Sequence, residues 1–170
     1  MRNHSERFKI IFLDIDGVLN VIPEEHDEFG GCFHKHFEDN LRWIIEQTGA
    51  KIVISSTWRF SGLSVMQEMW KHRALAGEVI DITPHIGICK RGYEIQEWIE
   101  NNKDKIQSYC IIDDDTDMLP HQMKFFVKTS GNKNHPDCID IGYGLTKKCA
   151  KKVVKILNSP FHSKLNNFKK

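Results

Sequence analysis

Apolar residues in this chain come in two patterns that alternate along it. Short unbroken runs, Ile10 to Leu13, Ile52 to Ile54 and Tyr109 to Ile112, have no polar face and predict strands buried on both sides, as in a parallel sheet. Val79 to Ile82, closed by Thr83-Pro84, and Lys124 to Lys128 predict two further short strands. Between them the apolar positions recur at helical spacing. Phe37, Leu41, Ile44 and Ile45 predict a helix from His36 to Gln47 that Gly49 stops. Leu63, Met66, Met69 and Trp70 predict another, ending near Gly77, whose Met and aromatic content reads as packing. A third starts after Gly92 with Glu94 to Ile99, its first turn acidic, and a fourth is opened by Gly144-Leu145-Thr146 and ended by Pro160. Strands alternating with helices predict an α/β fold around a parallel sheet.

The ends of the buried strands carry the chemistry. The first strand runs into Asp14-Ile15-Asp16-Gly17. Alternation in extended chain puts Asp14 and Asp16 on one side, and Gly17 lets the backbone turn just beyond them. Two carboxylates facing one group suit a covalent route in which one attacks and the other moves protons. The second strand ends in Ser55-Ser56-Thr57-Trp58-Arg59, where a hydroxyl suits a phosphate oxygen or, alternatively, a helix N-cap. Arg91 precedes a predicted helix N-terminus, where guanidinium and backbone amides together suit an anion; an ordinary surface arginine is the alternative. The third strand ends in Asp113-Asp114-Asp115-Thr116-Asp117, four carboxylates in five residues. Such crowding calls for a hard cation such as magnesium, or else for a well-solvated turn. Residues 20 to 35, with Pro23, Gly30, Gly31 and four acidic side chains, predict a loop or small flap over the first strand end. Within it Cys32, His34 and His36 share a strand face but lack the second pair that a closed zinc site needs.

Charge changes the picture at one end only. The net charge is +1, but residues 146 to 170 hold eight lysines and no acidic residue, so the preceding 145 carry about −7. A chain of 170 residues, 40% hydrophobic and 28% charged, fits one soluble domain. We assign residues 1–158 to it and 159–170 to a basic, flexible tail. The five cysteines are odd in number, scattered and without Cys-x-x-Cys, the usage of reduced thiols in a cytoplasmic compartment. The first seven residues contain no apolar signal segment, and no run is long enough to span a membrane.

In content and order these stretches resemble the haloacid-dehalogenase (HAD) superfamily, and most closely the small HAD domain of Swiss Army knife RNA-repair proteins. The resemblance rests on Asp14-Ile15-Asp16-Gly17-Val18, Ser55-Ser56-Thr57-Trp58-Arg59, Arg91-Gly92-Tyr93-Glu94-Ile95 and Asp113-Asp114. It implies a Rossmann-like three-layer sandwich with a central parallel sheet and minimal or no cap, since the intervals that hold caps are filled by core elements. It implies Asp14 as nucleophile and Asp16 as general acid and base. Ser55, with Ser56 as substitute, and Arg91 would bind phosphate. Asp14, Asp16, Asp113 and Asp114 would hold Mg²⁺, with Asp117 at a position sometimes used as well. The third motif departs from the commoner form in having Arg for Lys, which keeps the charge.

The expectation is therefore a Mg²⁺-dependent phosphomonoesterase working through an aspartyl-phosphate. Asp16 argues against dehalogenation, which has no leaving alkoxide to protonate. An uncapped site and a lysine-rich C-terminal region suggest a large substrate, such as a terminal phosphate of RNA or DNA. The alternatives are a small phosphorylated metabolite, with the lysines merely solvating a helix, and a binding module that retains the fold without turnover.

Overall fold

The structure is a computed structural model that describes residues 7–88, 90–130 and 143–159. Five strands form one sheet: β1 (Phe8–Leu13), β4 (Lys51–Ile54), β5 (Val79–Ile82), β6 (Ile106–Asp113) and β7 (Phe126–Lys128), in the order β5-β4-β1-β6-β7. Every neighbouring pair is parallel, as runs of Ile, Val and Phe without a polar face require. The chain winds outward from β1 to β5, then returns across β1 to add β6 and β7. The winding therefore reverses between β1 and β6, the place where open α/β sheets form a ligand crevice at their carboxyl ends.

Alternating side chains of the strands feed two cores. Ile11, Leu13, Ile52 and Ile54 face α1 (Lys35–Thr48), α2 (Leu63–His72) and α4 (Lys147–Leu157), meeting Phe37, Leu41, Met69 and Val153. Ile10, Phe12, Val53 and Ile111 face α3 (Arg91–Asn102), meeting Ile95, Trp98 and Ile99. Each such side chain contributes about 1.5–3 kcal/mol on full burial, so the sheet is held from both faces. The layers are those of a Rossmann-like α/β sandwich.

The predicted helices and strands form close to where the apolar spacing puts them, although α2 stops at His72, short of Gly77, and α3 already starts at Arg91; three further local differences stand out. The flap is built around a minimal hairpin, β2 (His26–Asp27) and β3 (Gly30–Gly31), pinned to α2 by Arg73, whose guanidinium donates to both Asp27 carboxylate oxygens at 2.6 and 2.8 Å. That partner holds the Asp27 carboxyl down at about 2. The strand expected over 124 to 128 is shorter, because Pro120 starts a 3-10 turn, Pro120–Phe125, that takes up Lys124 and Phe125. The last helix begins at Lys147, with Thr146 as its cap accepting from the Cys149 amide at 3.2 Å. Cys89, Cys138, Pro160, the C-terminal tail after it and most of the loop over 129 to 144 lie outside the described residues. Among the described residues no helix is long and apolar enough to cross a membrane.

Candidate active site

The site lies at the carboxyl ends of β1 and β6. Asp14 follows β1 directly, and its amide donates to Ile112 O of β6 at 3.0 Å, so the two strand ends are locked side by side. That lock brings carboxylate oxygens of Asp14, Asp113 and Asp114 within 4.8 Å of one another. Asp14 is 5% exposed and Asp113 fully buried. Arg91, the first residue of α3, spans the gap: one Nη lies 2.9 Å from Asp14 Oδ1 and 2.7 Å from Asp113 Oδ2.

Three carboxylates against one guanidinium leave this pocket short of positive charge. Burial, partly offset by Arg91, raises the Asp14 carboxyl above the usual range. Burial and then the Asp14 charge push Asp113 well above it, and the same two causes bring Asp114 up to about 6. Arg91 loses by burial but gains more from Asp113 and Asp14, and is held firmly charged. Buried carboxylates that resist ionisation are the donor set for a hard divalent cation, which supplies the missing charge. The residues present fit a hard divalent cation.

This has a measurable consequence. The raised groups bind protons more tightly in the folded protein, so stability falls as pH rises from the unfolded value of 3.8 through about 6 and beyond. Without metal the melting temperature should fall between pH 5 and pH 8. Added Mg²⁺ should raise it more at pH 8, where protons no longer compete for the same oxygens. A metal effect equal at both pH values would contradict a cation bound by these carboxylates.

Glycine makes the close approach possible. A Cβ on Gly17, whose φ is +77°, would fall 2.2 Å from Asp114 Cγ. Gly92, one residue into α3, would meet Leu119 N at 2.7 Å and Asp117 O at 2.9 Å. The acidic loop thus lies directly on the start of α3. Asp117 accepts from the Arg91 amide at 3.2 Å through its side chain and from the Gly92 amide at 3.1 Å through its carbonyl. Among the described residues it stands outside the trio of carboxylates and anchors the helix that carries Arg91.

The two serines at the end of β4 part company. The Ser56 hydroxyl is near enough to Asp14 to favour its ionised form, and it also caps the turn Thr57–Ser61, accepting from Trp58 N at 3.4 Å. Ser55 is fully buried, and its Oγ has no partner among the described residues. Asp16 is exposed and faces a cleft of about 390 Å³ lined also by Asn20, Ile22, Asp114, Lys128 and Ser130. Its Oδ1 accepts from Asn20 Nδ2 at 2.8 Å and its Oδ2 from Trp58 Nε1 at 2.9 Å.

Beneath this site lies a pair that the sequence reading did not single out. Arg59 is 4% exposed and donates to Ser55 O at 2.7 Å, Ser56 O at 3.0 Å and Thr83 O at 3.2 Å. It also donates to Glu94 Oε2 at 2.6 Å, and Glu94 Oε1 accepts from the Ile86 amide at 3.1 Å. One buried ion pair therefore ties the serine loop to the helix that presents Arg91. Its sequence signal was only a charged residue beside Trp58 and an acidic residue on a helix face.

The model of the family described as HAD domain in Swiss Army Knife RNA repair proteins matches residues 10–134. The match takes in the three polar strand ends and the Arg91 helix start described above. No curated protein and no solved structure matches the chain.

Proposed function

The chain belongs to the family of HAD domains found in Swiss Army Knife RNA repair proteins, and on that premise we propose that it is a Mg²⁺-dependent phosphomonoesterase acting on the terminal phosphate of a nucleic acid. The observation that carries the reading is the cluster of two buried carboxylates, Asp14 and Asp113, bridged by Arg91, with half-buried Asp114 beside them and Asp16 alongside at the cleft. A scaffold with no turnover has no need to bury two carboxylates together and set a third against them.

Asp14, Asp113 and Asp114 would hold the ion by their carboxylates, with Asp16 contributing its backbone carbonyl. Bound there, the cation neutralises the pocket and polarises the phosphate. The chain's own residues do the rest. An Asp14 oxygen attacks phosphorus as the ester P–O bond breaks, and Asp16 gives its proton to the departing oxygen. The alcohol leaves and Asp14 carries the phosphoryl group. Water then loses a proton to Asp16 and attacks phosphorus, the bond to Asp14 breaks, and phosphate and the starting acid are restored. Arg91, with Ser55 or Ser56, stabilises the phosphoryl oxygens through both steps.

The family supports a nucleic-acid substrate, and so does the placement of the basic helix. Leu145 N donates to Val18 O at 2.9 Å, so α4 begins beside the loop that carries Asp16. From there Lys147, Lys148, Lys151, Lys152 and Lys155 run exposed along it. Such a stripe would follow a phosphate backbone and release counterions on binding. The cysteine usage supports a cytoplasmic setting. The competing substrate is a small phosphorylated metabolite, to which an open cleft with one flap is no barrier. The test sets 3′- and 5′-phosphorylated oligonucleotides beside nucleotides and sugar phosphates at rising salt. Higher kcat/KM for the oligonucleotides, falling with salt, is the expected result. A preference for small esters, unmoved by salt, would remove the nucleic-acid reading and leave the chemistry standing.

A further inference from the structure

Asp16 is exposed, and an exposed carboxylate is served by water and needs no protein donors. Here two donors from separate parts of the chain converge on it. Asn20 Nδ2 lies 2.8 Å from Oδ1 and Trp58 Nε1 lies 2.9 Å from Oδ2. Trp58 comes from the turn after β4, 42 residues away in sequence. Its indole carries one N–H and no acceptor, so it has a single use as a hydrogen-bonding group, and that use is spent on Asp16.

Asn20 is held at a cost. Its amide nitrogen faces Asp16, while its Oδ1 is buried without a partner among the described residues. A side chain chosen for local stability alone would not leave that oxygen unmet. Trp58 is also wedged under the flap: its ring is 3.4 Å from where a Gly30 Cβ would stand, and its centroid is 5.9 Å from that of Phe33. The flap thus fixes the indole, and the indole fixes the carboxyl.

Resting on the phosphatase reading above, we infer that Trp58 and Asn20 are positioning residues for proton transfer by Asp16. Between them they set the carboxyl plane. Each Asp16 oxygen keeps a lone pair free of these two bonds, and the transferable proton occupies one of them on the cleft side. The demand for that alignment scales with the leaving group. An aliphatic alkoxide must take the Asp16 proton as the P–O bond breaks, whereas p-nitrophenolate departs without one.

The test compares kcat/KM for an aliphatic phosphate ester and for p-nitrophenyl phosphate in wild type, Trp58→Phe and Asn20→Ala. kcat/KM reports phosphoryl transfer to Asp14 and is blind to later hydrolysis. Phe keeps an aromatic ring, smaller than the indole, and removes the N–H, and the Asn20 variant reaches the same carboxyl from the other side without touching the ring. We expect the aliphatic ester to lose about 10–100-fold, a part of the roughly 10²–10⁴-fold that general acid catalysis contributes, and the aryl ester to lose at least about tenfold less. A parallel loss with both esters would reduce the two residues to structural supports and overturn the inference, as would no loss with either. No turnover of either ester by wild type would instead overturn the phosphatase reading, and this inference with it.

Discussion

Asn in place of Asp14 stops phosphate release from every phosphomonoester, a fall of about 10⁴-fold or more if the side chain is the nucleophile. The substitution nearly preserves shape but leaves an amide that cannot attack phosphorus. It also removes one charge from a crowded trio. Asp113 and Asp114 are both raised in part by the Asp14 charge, and Arg91 keeps its 2.7 Å contact with Asp113. The variant should therefore fold, with a melting temperature equal to or above that of the wild type, as is common when an active-site charge is removed. Activity and thermal unfolding measured on one preparation separate the two effects. Retained turnover would remove Asp14 from the chemistry.

Arg59→Ala carries the largest expected cost in stability. It takes the charged partner from Glu94, whose side chain is 4% exposed and keeps only the Ile86 amide and the half-exposed His85 ring on its other oxygen, and it leaves the carbonyls of Ser55 and Thr83 without this donor. Breaking one side of a buried ion pair costs about 3–5 kcal/mol. For a chain of this size that is roughly 6–20 °C in melting temperature. Lys should rescue little, because one ammonium cannot reproduce a planar fork that meets a carboxylate and three carbonyls. A shift of less than about 1 kcal/mol in denaturant unfolding, the ordinary size of a surface substitution, would show that the pair is not the support described here.

Much of the site was legible because its residues break the local pattern. Asp14 and Asp113 each end an apolar run, where a carboxylate has no packing reason to be, and the sheet then sets these two runs side by side. Arg91 was legible as a cation at a helix start. The Arg59–Glu94 pair was not, since an ion pair formed across 35 residues leaves no periodicity in either segment. The contact between Trp58 and Asp16 was hidden for the same reason. The two serines show a different limit: adjacent hydroxyls at a strand end look alike in sequence, and only the turn starting at Thr57 sets Ser56 toward Asp14. Over 124 to 128 the apolar run suggested a strand throughout. Pro120 fixes the backbone of a turn, Gln122 secures it by donating to Gly92 O at 2.8 Å, and pairing with β6 starts only at Phe126.

If the carboxylates at the ends of β1 and β6 serve to hydrolyse a phosphate ester with the help of a cation, the protein must release phosphate in a metal-dependent way. The most direct measurement is inorganic phosphate released by the wild-type protein from a panel of phosphomonoesters, with Mg²⁺ and after its removal by a chelator. Release from at least one class of ester, lost with the chelator and restored when Mg²⁺ is returned, is the expected result. Release that persists without a divalent cation, or none from any ester with Mg²⁺ present, would contradict it.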